Sequence, residues 1–315
     1  MALESEPMHR YRHNLWPRFA AMVIAGVLAV VAAGMTAATG NSLQAGVDRA
    51  MTGRDGALVV AEVGSGRILA AHRMDRASHQ LVSPGSTLKP FVLMSLLEAG
   101  RLDPNQAFVC ARALRIGSLQ MDCTHPASVS LLKAEDAIAY SCNSYVAHAA
   151  NKLSDRELVQ ALRRAGLDSP TLLVSDEAVG RIELPGNPDA LELEALGERG
   201  VDVTPLELLE AYRKLALRKL AGQEGVDAAV FAGLAESVQY GMAHAAFVSG
   251  MKIAGKTGTA SGRGSASTHG LFVGYAPAAQ PEIVMVVLLE QGRGLDAADV
   301  AQPVLEEFSR SGPRP

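Results

Sequence analysis

The chain has 315 residues, with 29 basic and 33 acidic side chains, and 48% of its residues are hydrophobic. This length allows one large or two ordinary domains, the apolar content excludes a disordered low-complexity chain, and the near-neutral charge gives no electrostatic case for a nucleic acid partner. Three cysteines are too few for a disulfide-stapled scaffold, and a charged fraction of 20% indicates one unusually apolar segment.

That apolar segment lies near the N-terminus. No charged residue occurs between Arg18 and Asp48, and residues 19–38 read FAAMVIAGVLAVVAAGMTAA. About 20 apolar residues cross a bilayer as a helix, whereas the apolar region of a signal peptide has about 7–15. Arg10, Arg12 and Arg18 precede the segment, so the positive-inside rule predicts a cytoplasmic N-terminus.

We therefore predict a cytoplasmic tail over residues 1–18, a transmembrane anchor in the inner (plasma) membrane over 19–38, and a polar tether over 39–51. One folded domain over 52–312 follows on the periplasmic or extracellular side. The alternative is a cleaved export signal, because the small residues at 36–38 suit a peptidase. Both interpretations export the folded domain.

The folded part begins with a hairpin pattern, in which residues 57–63 and 67–71 flank a Gly-Ser-Gly turn. An almost wholly apolar helix is predicted over 86–99. Further helices are predicted within 130–165 and over 205–219, then strands at 251–259, 270–275 and 282–289, and a closing helix at 298–308 despite Pro303. Strands at both ends with helices between them predict one mixed α/β domain whose sheet joins the two ends of the chain.

Export bears on the cysteines, because an oxidising compartment permits disulfides. Cys110 and Cys123 enclose a short segment and are the expected pair, which leaves Cys142 unpaired. Unpaired thiols are the alternative. The sequence contains neither an H-E-x-x-H pattern of histidines nor a C-x-x-C pattern of cysteines. It therefore predicts no metal site and no cofactor.

A candidate nucleophile lies at the start of the apolar helix, in Ser86-Thr87-Leu88-Lys89. Residues i and i+3 share a helix face, so the Ser86 hydroxyl and the Lys89 amine can meet there. A lysine with its ordinary pKa of ~10.4 is protonated, and only desolvation or a neighbouring cation makes it a base for the serine. The spacing alone is weak evidence, since Ser130 and Lys133 match it too.

Two further motifs supply the rest of an acyl-transfer site. Ser141-Cys142-Asn143 lies between two helical segments, where a turn presents a hydroxyl to relay protons and an amide to hold a peptide. Lys256-Thr257-Gly258-Thr259 lies on a predicted strand and offers a cation beside hydroxyls for a carboxylate. Gly258 lets a substrate backbone approach, and the Thr259 N–H can join the Ser86 N–H as donors to an oxyanion.

The order S-x-x-K, S-x-N, K-T-G resembles the transpeptidase domain of penicillin-binding proteins, in the serine D,D-peptidase and β-lactamase superfamily. The resemblance covers residues 55–310 and includes the segments SPGSTLKPFV, AIAYSCNSYVAHAA, VTPLELLEAY and HGLFVGYAP. It implies an antiparallel sheet flanked by helices, with a helical subdomain that bears the S-x-N turn. It also implies roles for the motif residues: nucleophile Ser86, base Lys89, proton relay and substrate holder Ser141 and Asn143, and a carboxylate site lined by Lys256, Thr257 and Thr259.

The resemblance further implies a membrane-anchored D,D-transpeptidase or D,D-carboxypeptidase that acts on peptidoglycan stem peptides and is covalently inhibited by β-lactams. The short interval between the anchor and Ala57 leaves no room for a pedestal or a glycosyltransferase domain, so a separate glycosyltransferase is the expected partner. Leu271 stands where the family often has tryptophan. These departures leave the acceptor of the acyl group open.

Two alternatives stay open at this point, and a third is rejected by its context. A serine β-lactamase shares the fold, and Glu183 and Asn187 match the E-x-x-x-N pattern of one lactamase class. A non-catalytic module that binds peptidoglycan or β-lactams is the second alternative. Residues 250–257 also fit the phosphate-binding pattern G-x-x-x-x-G-K-T, but the Gly/Ser-rich stretch that follows lacks the helix that such a loop requires.

Overall fold

The computed structural model describes residues 42–261 and 267–311. Its centre is a five-stranded antiparallel sheet with strand order β2-β1-β11-β10-β9. The strands are β1 (Gly56–Glu62), β2 (Ile68–His72), β9 (Ala254–Ser261), β10 (Thr268–Ala276) and β11 (Ile283–Leu289). Because β1 pairs with β11 along its whole length, the first and last strands of the domain are neighbours in the sheet.

The sheet is covered on both faces, and successive residues of a strand face opposite sides. Along β1, Leu58 and Val60 belong to one apolar cluster, and Val59 and Ala61 belong to the other. The first cluster includes the helices α1 (42–50) and α10 (Gly294–Ser311), and the second joins the sheet to the helical part of the domain.

The helical part lies between β2 and β9. Its helices are α2 (Met74–His79), α3 (Lys89–Glu98), α4 (Ala134–Ala139), α5 (Asn143–Ala150), α6 (Asp155–Ala165), α7 (Pro188–Ala195), α8 (Pro205–Leu220) and α9 (Ala228–Gln239). Two-residue strands join them: β3 (Phe108–Val109), β4 (Arg115–Ile116), β5 (Leu119–Gln120), β6 (Leu131–Leu132), β7 (Arg181–Ile182) and β8 (Val201–Asp202). Residues 89–97 of α3 are all buried, as its apolar sequence predicts for a central helix.

These elements confirm the expected antiparallel sheet flanked by helices, the first hairpin, the three C-terminal strands and the long helices. Two local expectations differ. Residues 42–50, assigned to a polar tether, form α1, because Leu43, Val47 and Met51 recur at helical spacing and pack against the sheet and α10. Ser86 lies in a 3₁₀ turn over Gly85–Leu88, and α3 begins only at Lys89.

The predicted membrane anchor over 19–38 lies outside the described residues. Within 42–261 and 267–311, none of the helices combines the length and apolarity that a membrane crossing needs.

Candidate active site

The 3₁₀ turn that carries Ser86 packs against the free edge of β9, the outermost strand of the sheet. Two glycines permit this approach. A side chain on Gly85, whose φ is +55°, would place its Cβ 2.9 Å from the Thr259 carbonyl oxygen, and one on Gly258 would place it 2.6 Å from that of Pro84. Both contacts are closer than real Cβ atoms allow, so the turn and the strand meet only because these positions lack side chains.

Lys89 begins α3 and is completely buried. Its Nζ donates to the Ser141 carbonyl oxygen at 2.6 Å, to Ser141 Oγ at 3.2 Å and to Asn143 Oδ1 at 2.5 Å. Burial lowers the pKa of Lys89 to about 8, and the nearby thiols of Cys142 and Cys123 partly offset that effect. A neutral amine can satisfy the carbonyl and the amide with its two N–H bonds and keep a lone pair to accept a proton.

Ser141 lies between the two buried lysines of the site. Its φ is +53°, an uncommon conformation for a residue with a side chain, and its backbone turns the chain from α4 into α5. Besides Lys89, Lys256 Nζ donates to Ser141 Oγ, at 2.8 Å. The Ser141 hydroxyl therefore connects the helix and the strand sides of the site.

Asn143, the first residue of α5, is held from both ends of its amide. Its Oδ1 accepts from Lys89, and its Nδ2 donates to the Met121 carbonyl oxygen at 2.9 Å. The orientation of Asn143 therefore depends on the loop that contains Met121, a segment assigned no role in the sequence analysis.

Lys256 lies in β9 and is also completely buried. Its Nζ donates to the Thr257 carbonyl oxygen at 3.1 Å as well as to Ser141. Burial, followed by the charge of Lys89, lowers the pKa of Lys256 well below its ordinary value. A bound carboxylate would favour the charged form again, so Lys256 suits recognition of an anion.

Thr257, Gly258 and Thr259 follow Lys256 along the strand edge, where Thr257 and Gly258 are buried and Thr259 is exposed. Thr259 Oγ1 accepts a hydrogen bond from the Gly294 N–H, the first residue of α10, at 2.8 Å. The start of α10 thus packs directly on the K-T-G strand, a support that the sequence analysis missed.

The structure therefore joins Lys89, Ser141, Asn143 and Lys256 in one hydrogen-bond network. Ser86 lies on the turn beside that network, half-buried, and its hydroxyl makes no hydrogen bond to any other described residue. Nucleophiles often engage their base closely only when substrate is bound, so this geometry is compatible with a nucleophile.

Two buried polar contacts behind the turn were also missed. Tyr212 Oη donates to the Thr87 carbonyl oxygen at 2.9 Å, and His269 Nε2 lies 2.7 Å from that of Ser83. Both residues lie in segments that resemble the family, VTPLELLEAY and HGLFVGYAP, and that resemblance was the available signal. They fix the backbone on either side of Ser86.

The competing motifs have structural explanations. Lys133 of the second S-x-x-K sequence is exposed and directly precedes α4. Asn187 of the E-x-x-x-N sequence caps α7, where its side chain accepts from the Ala190 N–H at 2.9 Å. Lys256 lies within a strand and does not precede a helix, which excludes a phosphate-binding loop at 250–257.

The expected disulfide between Cys110 and Cys123 is not formed, and this expectation was wrong. All three cysteines are free and buried. Cys142 Sγ lies 3.5 Å from Cys110 Sγ and 3.7 Å from Cys123 Sγ. Sequence spacing could not show this, because Cys142 comes from the S-x-N turn rather than from the loop.

The penicillin binding protein transpeptidase domain family matches residues 56–310. The chain belongs to this family. Among curated relatives, a "Peptidoglycan D,D-transpeptidase PbpA" of Mycobacterium tuberculosis is 27% identical over 292 residues, which cover 76% of this chain and 57% of that protein. The chain thus spans little more than half the length of this relative.

Solved structures of penicillin-binding transpeptidase domains share the fold. The D,D-transpeptidase domain of a peptidoglycan glycosyltransferase from Eggerthella lenta matches with a TM-score of 0.75 at 22% identity, covering 85% of this chain and 81% of that one. Pseudomonas aeruginosa PBP2, in complex with WCK 5153, matches with a TM-score of 0.73 at 24% identity, covering 85% and 76%.

Proposed function

We propose that this chain is a D,D-transpeptidase or D,D-carboxypeptidase that acts on peptidoglycan stem peptides through an acyl-enzyme on Ser86. The observation that carries the proposal is the network of Lys89, Ser141, Asn143 and Lys256 beside the Ser86 turn. Its relative in Mycobacterium tuberculosis carries the name of a peptidoglycan D,D-transpeptidase, which supports the substrate class.

In the proposed acylation, the neutral Lys89 amine takes the proton of Ser86 Oγ as that oxygen attacks the carbonyl carbon of the penultimate D-alanine. The backbone N–H groups of Ser86 and Thr259 stabilise the oxyanion. The C–N bond then breaks, the Ser141 hydroxyl passes a proton to the departing D-alanine amine, and Lys89 returns its proton to Ser141. Asn143 holds the stem peptide, and Lys256, Thr257 and Thr259 bind the terminal carboxylate along β9.

Deacylation restores Ser86 and determines the product. An amine of a second stem peptide gives a cross-link, and water gives a shortened stem peptide. A separate glycosyltransferase would supply the glycan strands. β-Lactams fit the same first step, because attack of Ser86 opens their ring while the amine stays tethered, so the ester on the serine persists.

The proposal includes membrane anchoring through residues 19–38, with the N-terminus in the cytoplasm and the catalytic domain on the outer side. Its support is the uncharged sequence and the three preceding arginines. Fractionation of cells that express the full chain tests it. We expect the protein in the carbonate-washed membrane pellet, and a protease added to spheroplasts should digest the domain; recovery in the soluble cytosolic fraction would contradict the anchor.

The activity is tested by incubating the full-length protein in detergent with fluorescent penicillin and following the label by intact mass after wash-out. A stable adduct in the wild type and none in Ser86→Ala are expected. Loss of the adduct within seconds would indicate a β-lactamase, and absence of any covalent label would indicate a binding module. Release of D-alanine from an acyl-D-Ala-D-Ala peptide, with and without an acceptor amine, separates carboxypeptidase from transpeptidase.

A further inference from the structure

A second cluster of chemically active side chains lies directly behind the S-x-N turn. Cys110, Cys123, His125 and Cys142 each offer one ligand atom, and these four atoms all lie within 4.8 Å of one another. We propose that the four residues bind a Zn²⁺ ion that fixes the turn carrying Ser141 and Asn143. The proposal concerns metal binding and does not depend on the acyl-transfer activity.

The spacing of the four atoms fits a tetrahedral metal. Ligands at about 2.3 Å for sulfur and 2.0–2.1 Å for nitrogen place neighbouring sulfurs about 3.8 Å apart and sulfur and nitrogen about 3.6 Å apart. Cys142 Sγ lies 3.5 Å from Cys110 Sγ and 3.7 Å from Cys123 Sγ, and Cys110 Sγ lies 3.5 Å from His125 Nε2. An ion therefore fits among the four side chains with only small adjustments.

His125 is already oriented as a ligand. Its Nδ1 lies 3.3 Å from the Pro126 carbonyl oxygen, so the tautomer with the proton on Nδ1 donates there. That tautomer leaves the lone pair of Nε2 on the side of the thiols, since Nε2 is the atom that contacts Cys110. Metal-binding histidines are commonly held in this way by a carbonyl on the other ring nitrogen.

Each sulfur also receives a backbone hydrogen bond. The N–H of Arg112 donates to Cys110 Sγ at 3.3 Å, that of Ser144 to Cys123 Sγ at 3.4 Å, and that of Tyr145 to Cys142 Sγ at 3.4 Å. Such donors stabilise the negative charge of thiolates. The ligands are buried, with exposed fractions between 0% and 7%, so the site is closed to a substrate and resembles a structural centre.

The chemistry of the ligands selects the metal. Three thiolates and one imidazole in a closed tetrahedral arrangement form a common structural zinc set, whereas Ca²⁺ and Mg²⁺ prefer oxygen ligands. A disulfide would occupy only two of the three sulfurs and would leave His125 without a role.

The position of the cluster indicates what the metal does. Cys142 is the middle residue of the S-x-N motif, and Cys110, Cys123 and His125 come from the segment between α3 and α4. That segment, residues 99–133, contains only two-residue strands and no helix, yet its Met121 carbonyl oxygen holds Asn143. A metal would tie this segment to the turn and thereby set the positions of Ser141 and Asn143.

The test is the metal content of the full-length protein, purified in detergent with a thiol reductant and dialysed after addition of Zn²⁺. Inductively coupled plasma mass spectrometry should find about one zinc per chain, as a closed four-ligand site predicts. His125→Ala should lower the ratio at least tenfold, whereas His125→Cys, which creates a Cys₄ set, should retain zinc. His79→Ala, at an exposed histidine outside the cluster, is the matched control and should bind as the wild type does.

A second test uses Co²⁺ and the wild-type protein, so it does not depend on whether the alanine variant folds. Wild-type protein loaded with Co²⁺ should show the intense d–d bands of a tetrahedral site and a thiolate-to-cobalt charge-transfer band. Absence of these bands, or a zinc ratio below about 0.1 after loading, would overturn the proposal. A mass 2 Da lower in protein isolated without reductant, together with failure to bind metal after reduction, would instead indicate a disulfide. Ser86→Ala should bind zinc normally, so loss of acylation and loss of metal are separable.

Discussion

The two sides of the candidate active site are held by different kinds of structure. On one side, β9 pairs with β10 over eight residues and is supported by the sheet and by α10. On the other side, the S-x-N turn rests on residues 99–133, whose strands are two residues long. The sheet edge is fixed by backbone pairing along a whole strand, whereas the turn joins two short buried helices and orients its polar side chains through single contacts, namely those of Asn143 and Lys89.

Substitutions on the two sides should therefore have different effects. Changes at the sheet edge must displace well-packed atoms and should affect stability together with acylation. Changes at the turn remove individual polar groups and should affect acylation more than stability.

Among variants that keep Ser86, the largest effect should come from Lys89→Met, which keeps the length of the side chain and removes the proposed base. We expect the second-order rate of penicillin acylation to fall by about 10²–10⁴-fold, because the amine proposed to take the Ser86 proton is lost. Lys133→Met, in the second S-x-x-K sequence, is the matched control and should leave the rate unchanged. A Lys89→Met rate within threefold of the wild type would remove Lys89 from the mechanism.

Two substitutions at Ser141 distinguish the effect of its hydroxyl from the effect of its backbone conformation. Both Ser141→Ala and Ser141→Gly should slow acylation by about 100-fold, because both lose the proton relay. The glycine variant should be more stable by about 1 kcal/mol, since only glycine adopts a positive φ without strain. Stopped-flow acylation and urea unfolding measure the two effects; equal stability of the two variants would show that the φ of Ser141 costs nothing.

Gly258→Ala tests the sheet side. Its new Cβ would lie 2.6 Å from the Pro84 carbonyl oxygen and 2.9 Å from the Thr87 methyl group, so the Ser86 turn must move. We expect a loss of about 1–3 kcal/mol in the free energy of unfolding and a loss of about tenfold in acylation rate. Gly64→Ala, where nothing lies within 4 Å, is the control and should be nearly neutral. If Gly258→Ala were equally neutral, the proposed close approach of strand and turn would be contradicted.

The pH dependence of acylation should report the buried base. Lys89 has a pKa of about 8 because burial disfavours its charged form, and only the neutral amine accepts the serine proton. The rate at subsaturating penicillin should therefore rise as pH increases through about 8, by about tenfold between pH 7 and the plateau. The residual rate of Lys89→Met should lack this rise. A rate that falls across the same interval in the wild type would contradict the assignment.

The smallest effect on the acylation rate is expected at Tyr212, behind the turn that carries Ser86. Tyr212→Phe removes one buried hydrogen bond and leaves the Thr87 carbonyl oxygen without that donor. Loss of about 1–3 kcal/mol of stability is expected, with acylation changed by less than a few-fold. Chemical denaturation and the acylation rate measure both. If the acylation rate fell by much more than a few-fold while the free energy of unfolding changed little, Tyr212 would have a part in positioning Ser86.

Much of this architecture could be predicted from local sequence. The Val-rich and Ile-rich runs of β1 and β11 and the apolar residues of α3 determine their own secondary structure, and the three motifs come together because strand and helix ends carry them. Helix α1 was missed although Leu43, Val47 and Met51 recur at helical spacing, because so short a helix is stabilised mainly by packing on the sheet and α10.

The cysteine cluster could not be predicted in the same way. Cys110, Cys123 and His125 belong to one loop and Cys142 to a turn after α4, so no fixed spacing in the sequence describes their approach. The proximity is a tertiary property of the fold. The same is true of the hydrogen bond between Asn143 and Met121, and of the glycine contacts that bring Ser86 to β9.

Ser86 is the residue proposed to become acylated. The most direct measurement is digestion of the penicillin-treated full-length protein, followed by tandem mass spectrometry of the peptides that contain Ser86 and Ser130. We expect the penicilloyl mass on Ser86 alone, with the Ser130 peptide unmodified and no adduct in Ser86→Ala. An adduct on Ser130, or an undiminished adduct in Ser86→Ala, would contradict it.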